Sequence, residues 1–444
     1  MCLATLFLPI RAQKPANFFN TKLSNGLEVL VVEDKSVPLA TVEITTKNGS
    51  YTESPEFNGL SHLYEHMFFK ANKDYPSQEA FMARVRELGI VFNGTTSEER
   101  VNYFFTLPKN NWIKGLEFMN SAIRYPLFSA EEMKKENVVV DGEFQRLESN
   151  PYYPLFDAMN HSLWGDLFSR KNVIGDHQII NTATPEKMQT IKNKYYWPNN
   201  SMLIISGDVN HNEVFDKVRQ IFSDWQSSGF DPFTKWPIPE FKPLEKTNYF
   251  VVESKIARVP MFMLGWLGPD TRHDRPATYA ADVFSYILSQ NSNKFQKELV
   301  DKGLALQANI SYQTLKFTGP IQVIVVPNPA SVAACAQALK DQIAQWDSSD
   351  YITDEQLDNA KRQLEIQNLQ AFDVTSSLSH NLAYNWCSSD LDYFYNYVEN
   401  VKKITKSDLQ NYVRTYIKGK NYSAGLLINS AQKEQLNPDS FWKE

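Results

Sequence analysis

The sequence predicts an α+β protein of two homologous α/β domains, each built on a mainly antiparallel sheet packed with helices. Its 444 residues exceed what one ordinary domain holds. Four prolines fall within residues 231–243, which is typical of a linker. Segments of the second half also repeat the first half in the same order, so an internal duplication explains the length.

The repeats are weak pair by pair but consistent in order. The segment "VPMFMLGWL" from Val259 matches "VPLATVEIT" from Val37, and "FQKELVDKGLALQANI" from Phe295 matches "FMARVRELGIVFNGTT" from Phe81. The predicted parts are a truncated signal segment or lead-in, an N-terminal domain, a linker and a C-terminal domain: residues 1–16, 17–230, 231–245 and 246–444.

The composition excludes several classes of protein. The hydrophobic fraction of 42% is that of a globular protein and argues against a disordered chain. The net charge of −6 without a strongly basic stretch argues against a nucleic-acid partner. No apolar run approaches the roughly 20 residues of a membrane span. The three cysteines show no CxxC spacing, so any metal must be held by histidine and carboxylate.

The N-terminus has two interpretations. Cys2–Ile10 is an apolar run that resembles the end of a secretory signal peptide, although a basic segment before it is missing. The alternative is a short apolar lead-in strand. The first interpretation predicts export to the periplasm, and the second predicts a cytoplasmic protein.

The first half begins with strands over residues 18–48, where an Asn-Gly pair between alternating apolar runs indicates a hairpin. From Gly59 to about Phe69 the apolar period becomes helical. A second helix follows between Ser77, its predicted N-cap, and Gly89, its predicted stop.

The rest of the first half alternates strands and helices. Two strand-like runs lie in "IVFNGTTSEERVNYFFTL", and a long helix is predicted after its cap Ser129. Met202–Ser206 then reads as a buried strand that closes the half.

Two histidines stand four residues apart in the first of these helices. His62 and His66 therefore lie on one face and can direct two imidazole nitrogens at one point, as zinc requires. Glu65 lies beside them and can reach a metal-bound water as a general base. "HLYEH" is the inverted form of the HExxH motif of zinc peptidases. The alternative is a helix with two satisfied histidines and a solvent-facing glutamate.

A catalytic zinc needs a third protein ligand, and the other five histidines are scattered. A carboxylate from the long helix is the natural candidate. Glu136 and Glu143 are seven residues apart on one face and flank Val138–Val140, which predicts that this face is partly buried. The residues alone do not choose between the two glutamates, and a solvated acidic helix is the alternative.

The chain resembles the pitrilysin/insulinase family of inverted-motif zinc peptidases over nearly its whole length. The resemblance rests on "GLSHLYEHMFF", "NGTTSEERVNYFF", "ENVVVDGEF", "YYWPNNSMLIISGDV" and the duplicated layout. It implies one zinc per chain, bound in the N-terminal domain by His62, His66 and Glu143, and no metal site in the C-terminal domain. It also implies that Glu65 is the general base and that Glu136 accompanies the ligands.

The same resemblance implies that "NGTTSEERVNYFF" contains an edge strand that binds the peptide, with Asn93 near the scissile bond and Gly94 and Thr95 beside it. The peptide would extend the sheet through main-chain hydrogen bonds, which demand little of its sequence. Gly94 and Val101 stand where the family more often has Ala and Thr. The alternative for Asn93 is an ordinary turn residue.

A larger departure from the family lies in the second half. The family carries an Arg and, seven residues on, a Tyr that steady the developing oxyanion, but this chain has Leu299 and Leu306 there. Either activity has been lost, or the chain is one subunit of a heterodimer whose partner carries the Arg/Tyr pair. The intact base and ligand set argue against lost activity and favour the heterodimer, while a homodimer stays possible.

The expected function is therefore that of a zinc-dependent metalloendopeptidase subunit. It would hydrolyse unfolded peptides in a chamber enclosed between two chains. The alternative is a non-catalytic scaffold or binding subunit of the same family.

Overall fold

Two sheets, one from each half of the chain, form the centre of the molecule. A computed structural model of the protein describes residues 14–372 and 374–435. The strands of the first sheet are β1 Phe18–Lys22, β2 Glu28–Glu33, β3 Leu39–Thr46, β4 Val91–Thr96, β5 Val101–Pro108 and β6 Ser201–Gly207. The strands of the second sheet are β7 Asn248–Glu253, β8 Met261–Leu267, β9 Ala305–Tyr312, β10 Pro320–Pro327 and β11 Ser423–Ile428.

Helices lie against both sheets. Those that precede β7 are α1 Leu60–Phe68, α2 Gln78–Leu88, α3 Trp112–Arg124, α4 Ala130–Glu148, α5 Tyr153–Trp164, α6 His177–Asn181, α7 Pro185–Tyr195, α8 His211–Phe222 and α9 Pro232–Lys235. Those that follow are α10 Arg275–Leu288, α11 Lys294–Gln296, α12 Val332–Gln345, α13 Asp354–Gln370, α14 Thr375–Ser388, α15 Leu391–Lys403, α16 Lys406–Tyr416 and α17 Ser430–Gln435.

The two sheets have matching strand orders. The first is β1-β2-β6-β3-β5-β4 and the second is β7-β11-β8-β10-β9, so they correspond strand for strand once β1 is set aside. Each contains one parallel pair, β2 with β6 and β7 with β11, and the other pairs are antiparallel. The predicted fold class, two mainly antiparallel sheets packed with helices, is confirmed.

The local signals in the first half act as predicted. The Ser77 side chain accepts a hydrogen bond from the backbone N–H of Ala80 at the start of α2, and Gly89 ends that helix with φ +66°. Ser129 caps α4 by accepting from the N–H of Glu132. These contacts pair backbone groups that a helix end leaves free.

One helix of each half lies on the sheet of the other half. Helix α5 packs on the second sheet, where Leu155 and Met159 belong to one buried cluster with Met263. Helix α14 packs on the first sheet, where Leu382 belongs to one buried cluster with Leu30. Each sheet therefore depends on the other half to bury one of its faces.

A loop of the second half also docks beside β4. The Glu99 carboxylate, in the turn between β4 and β5, accepts from the backbone N–H groups of Lys316 and Phe317, both at 2.7 Å. The Lys171 ammonium donates to the carbonyls of Phe317 and Thr318 at 2.6 and 2.8 Å. The turn that follows β4 is thus held by the second half.

The proline-rich stretch and the N-terminal apolar run are two further segments for which the sequence makes predictions. In the proline-rich stretch between the sheets, Ile238 packs with Tyr51 of the first half and Phe317 of the second. The apolar run Cys2–Ile10 lies outside the described residues. Within the described ranges no helix combines the length and the apolar composition needed to cross a membrane.

Candidate metal centre

Helix α1 carries the two motif histidines and is held at its start by a buried carboxylate. Glu53 accepts hydrogen bonds from the backbone N–H groups of Gly59 and Ser61 at 2.7 and 2.6 Å. Burial raises the pKa of Glu53 to about 8, while these two donors oppose the shift. A side chain on Gly59 would place its Cβ 2.5 Å from the Cα of Gly175, so the helix start lies close against that segment.

The buried face of α1 was read correctly from the sequence. Leu60, Leu63, Met67 and Phe68 have no exposed surface. Because these side chains anchor one face of the helix in the core, the histidines on the neighbouring face have little freedom to move.

Three side chains converge beside α1. His62 and His66 direct Nε2 toward the same Oε2 of Glu143, at 3.7 Å from each. This distance is too long for a hydrogen bond, but it is close to the roughly 3.4 Å expected between two ligands of a tetrahedral zinc with bonds of about 2.1 Å. Among the residues that the structure describes, these three form the one group of histidine, cysteine and acidic side chains able to hold a metal. The donor set therefore fits zinc.

The two imidazoles differ in their surroundings. Burial, together with the nearby His66, lowers the pKa of His62 to about 4. His62 is therefore neutral near pH 7, which is the form that binds a metal. Burial also opposes a charge on His66, but its hydrogen bond with Glu136 and the charge of Glu143 raise its pKa.

Glu136 holds the outer side of His66. Its Oε1 lies 2.8 Å from His66 Nδ1, and its Oε2 lies 2.6 Å from Lys70 Nζ. Burial alone would raise the pKa of Glu136, but these two partners lower it below its usual value. Glu136 is thus an ionised carboxylate that fixes the orientation of the His66 ring.

The face of α4 that carries both glutamates is only partly buried, as the sequence predicted. Glu136 and Val140 are buried, and Glu143 is half-buried. The prediction is wrong for Val138 and Val139, which are 66% and 50% exposed. Val138 lies two residues, or about 200°, from Glu136, so the helical turn carries it to the outer side of α4. Val139 lies only about 60° from Glu136, and its exposure shows that this face is buried only in part.

Glu65 lies against β4 beside the three converging side chains. Its Oε2 accepts a hydrogen bond of 2.6 Å from the hydroxyl of Thr96. Burial raises the pKa of Glu65, and the Thr96 hydrogen bond opposes that shift. A Cβ on Gly94 would lie 2.7 Å from both Cγ and Oε1 of Glu65, so the Glu65 side chain occupies the space that a side chain at position 94 would need.

Thr96 is a residue that sequence reasoning missed. Side chains alternate along a strand, so Thr96 and Gly94 share one side of β4. This alternation is the signal that would have placed Thr96 beside Glu65.

The cleft next to the histidines has a volume of about 400 Å³. Gly94 and Thr95 line it together with His62, Glu65 and Glu143. Strand β4 is at the edge of its sheet and pairs only with β5 among the described strands. Its outer backbone groups are therefore free to pair with another chain.

The other predicted residues lie apart from this cleft. Asn93 is on β4, where its side-chain oxygen accepts from the N–H of Gly94 at 3.0 Å, but it does not line the cleft. Leu299 is fully buried in the core of the second half, whereas Leu306 is 58% exposed on β9. Neither leucine can donate a hydrogen bond.

Both halves of this chain resemble known proteins. The family model described as "Insulinase (Peptidase family M16)" matches residues 28–174, and the one described as "Peptidase M16 inactive domain" matches residues 182–364. The uncharacterized zinc protease YmxG of Bacillus subtilis is 23% identical over 355 residues, which are 80% of this chain and 84% of that protein.

Two further similarities concern a subunit and a solved structure. The mitochondrial-processing peptidase subunit beta of Dictyostelium discoideum is 24% identical over 208 residues, 47% of this chain and 44% of that protein. The crystal structure of a protease from Helicobacter pylori has a TM-score of 0.82 at 24% identity and covers 93% of this chain and 99% of its own. The solved structure supports the two-sheet fold over nearly the whole chain.

Proposed function

The chain belongs to the insulinase family of peptidases, and we propose that it is the zinc-binding subunit of a metalloendopeptidase. In this proposal it hydrolyses unfolded peptides inside a chamber that a homologous partner subunit closes. The observation that carries the proposal is the convergence of His62, His66 and Glu143, with Glu65 beside them against an edge strand.

The residues of the site divide the chemistry among them. A zinc ion bound there would lower the pKa of a bound water and polarise the substrate carbonyl. Neutral His62 presents the lone pair of Nε2, and Glu136 keeps the His66 ring turned so that its Nε2 faces the same point. Glu65 takes a proton from the attacking water and gives it to the leaving amine.

Strand β4 is the proposed binding site for the peptide backbone. An extended peptide can pair with the free backbone groups of this edge strand, and Asn93, Gly94 and Thr95 would contact it. A folded substrate offers no such extended segment, so unfolded peptides are the substrate class that this binding mode favours.

The partner is proposed because two residues of this chain cannot stabilise an oxyanion. Leu299 and Leu306 stand where the family has Arg and Tyr, so a homologous subunit would supply that pair. The name of the Dictyostelium relative, a subunit, supports a two-chain enzyme. A homodimer is the alternative, and export to the periplasm is a proposal that rests on the apolar run Cys2–Ile10.

The same two leucines favour a second candidate, a non-catalytic scaffold of this family. Zinc content and peptide cleavage separate the two candidates. We expect purified protein to bind one zinc per chain, and the Glu65→Gln variant to keep that zinc while it loses cleavage. A wild-type protein that binds no zinc and cleaves no peptide, with or without a homologous partner, would establish the scaffold. Full activity of the chain alone would refute the need for a partner with the Arg/Tyr pair.

A further inference from the structure

We propose that Thr96 is a positioning residue that holds the general base Glu65 against the peptide-binding strand. This inference rests on the proposed peptidase function and adds to it a residue outside the motif. It gives β4 two tasks, since one strand would bind the peptide backbone and also orient the group that activates water.

The first observation is the hydrogen bond itself. The Thr96 hydroxyl donates to Oε2 of Glu65 at 2.6 Å, and the structure gives this carboxylate no other hydrogen bond within the described residues. Hydrogen bonds to an ionised acceptor are short and about twice as strong as neutral ones. Glu65 is only 8% exposed, so bulk water does not readily replace the lost donor.

The second observation is the close fit between Glu65 and β4. Gly94, two residues before Thr96, leaves the space that the Glu65 side chain occupies, and a Cβ there would lie 2.7 Å from its Oε1. Gly94 and Thr96 pair with Tyr103 and Val101 on β5, so the sheet fixes both positions. Glycine permits the approach, and threonine then selects the orientation of the carboxylate.

The third observation is a second carboxylate in the same cleft, which Glu65 and Glu143 both line. Like charges repel, so a Glu65 side chain released from Thr96 would be free to rotate away from Glu143. A base displaced by about 1 Å can lose roughly 100-fold in rate, so one hydroxyl has a measurable consequence.

The test compares Thr96→Val, which keeps the shape and removes the hydroxyl, with Thr96→Ser, which keeps the hydroxyl. We expect Thr96→Val to lower kcat by about 10- to 100-fold with little change in KM or zinc content, and Thr96→Ser to restore most of kcat. Thr106→Val is the matched control, because Thr106 bonds to Thr41 elsewhere in the same sheet, at 2.9 Å. Wild-type kcat in Thr96→Val, or an equal loss in Thr106→Val, would overturn the proposal.

A second measurement separates this inference from the proposed function. Crystal structures of wild type and Thr96→Val report the position of Glu65 whether or not the protein cleaves peptides. We expect the Glu65 carboxylate to leave β4 in the variant, and an unchanged position would overturn the positioning role. If wild type is inactive with a homologous partner present, the peptidase proposal fails, while the position of Glu65 in the two structures still decides the role of Thr96.

Discussion

Helices α1 and α10 follow corresponding strands of the two sheets, β3 and β8, yet among the described residues only α1 contributes to a group able to hold a metal. Each half also has a carboxylate with a shifted pKa, on that helix or on one packed against it. In the first half, Glu136 faces His66 and Lys70, and these partners keep its pKa below the usual value despite burial. In the second half, burial raises the pKa of Asp282 to about 7, and only the Tyr397 hydroxyl opposes the shift.

The difference shows what a buried carboxylate needs in order to remain charged. Two cationic or proton-donating side chains face Glu136, so it can remain an anion beside His66. Asp282 accepts one hydrogen bond of 2.8 Å from the neutral Tyr397 hydroxyl. This bond lowers the pKa of Asp282 by less than desolvation raises it, so the pKa stays above its usual value. Acids shielded from water in the two halves can thus have opposite electrostatic character, according to the side chains that face them.

The strongest test of this contrast removes one acid from each half. Glu65→Gln should reduce peptide cleavage by about 10²- to 10⁴-fold, because the amide cannot accept the proton of the attacking water. Asp282→Asn should leave cleavage within a factor of two, since Asp282 lies in the second half, away from the cleft. The measurement is the rate of peptide hydrolysis by zinc-loaded protein. Similar losses of this rate in both variants would contradict the assignment of Glu65 as the general base.

Because α5 and α14 each pack on the sheet of the other half, we expect the two halves to unfold together. Leu382 and Met159 have no exposed surface, so truncating either to alanine should lower the free energy of unfolding by about 2–5 kcal/mol. Urea unfolding followed by circular dichroism should give a single transition that both variants shift. Leu369→Ala, at a side chain that is 59% exposed, is the control and should change little. Two separate transitions, with only one of them shifted, would show that the halves are independent.

A smaller effect is expected where Glu136 orients His66. Glu136→Gln should weaken zinc binding by about 10- to 100-fold, because the ring loses the carboxylate that fixes its orientation. Competition with a chelator measures the dissociation constant. Glu132→Gln is a matched control on the same helix, where Glu132 pairs with the neighbouring Lys135. Equal zinc affinity in the two variants would count against the orienting role.

The smallest expected effect concerns the pH dependence of stability. The pKa of Asp282 is raised from 3.8 to about 7 in the folded protein, so its contribution is present at low pH and is lost as pH rises from about 4 to about 7. Asp282→Asn removes this loss, and its Tm relative to wild type should therefore rise by a few degrees between pH 5 and pH 8 (on the order of 1 °C per kcal/mol for a chain of 444 residues). A Tm difference that stays constant over that range would be evidence against a buried, protonated Asp282.

For Glu136 the pH dependence of the contribution to stability has the opposite sign. Its pKa is lowered in the folded protein, so its contribution is present above the unfolded value of 4.5 and is lost as pH falls through the folded value. In metal-free protein, Glu136→Gln should therefore cost more stability at pH 7 than at pH 4. Thermal unfolding at the two pH values measures this difference, and a larger cost at pH 4 would contradict it.

Much of the fold could be predicted because its signals are local. Ser77, Gly89 and Ser129 mark helix ends through contacts within a few residues, and the helical period of Leu60 and Leu63 identifies the buried face of α1. The exchange of α5 and α14 could not be predicted in this way. An apolar stripe shows that a helix face is buried, but it does not show which sheet covers it.

The same distinction between local signals and distant contacts applies to the candidate site. His62 and His66 were found because both lie on one short helix, four residues apart. The family resemblance was needed to choose Glu143 over Glu136 as the predicted third ligand. The two glutamates lie on one face of α4, so helical spacing does not distinguish them. In the structure Glu143 faces both Nε2 atoms, whereas Glu136 lies on the Nδ1 side of His66.

Sequence alone was enough to find the two-domain layout, the inverted histidine motif and the absence of hydrogen-bond donors at Leu299 and Leu306. Packing was needed to learn that Thr96 bonds to Glu65, that Glu99 secures the turn after β4, and that each sheet is covered by a helix of the other half. The difference comes from distance along the chain. Helical spacing and capping act over a few residues, whereas the contact between Thr96 and Glu65 spans 31 residues and exists only once β4 and α1 have packed together.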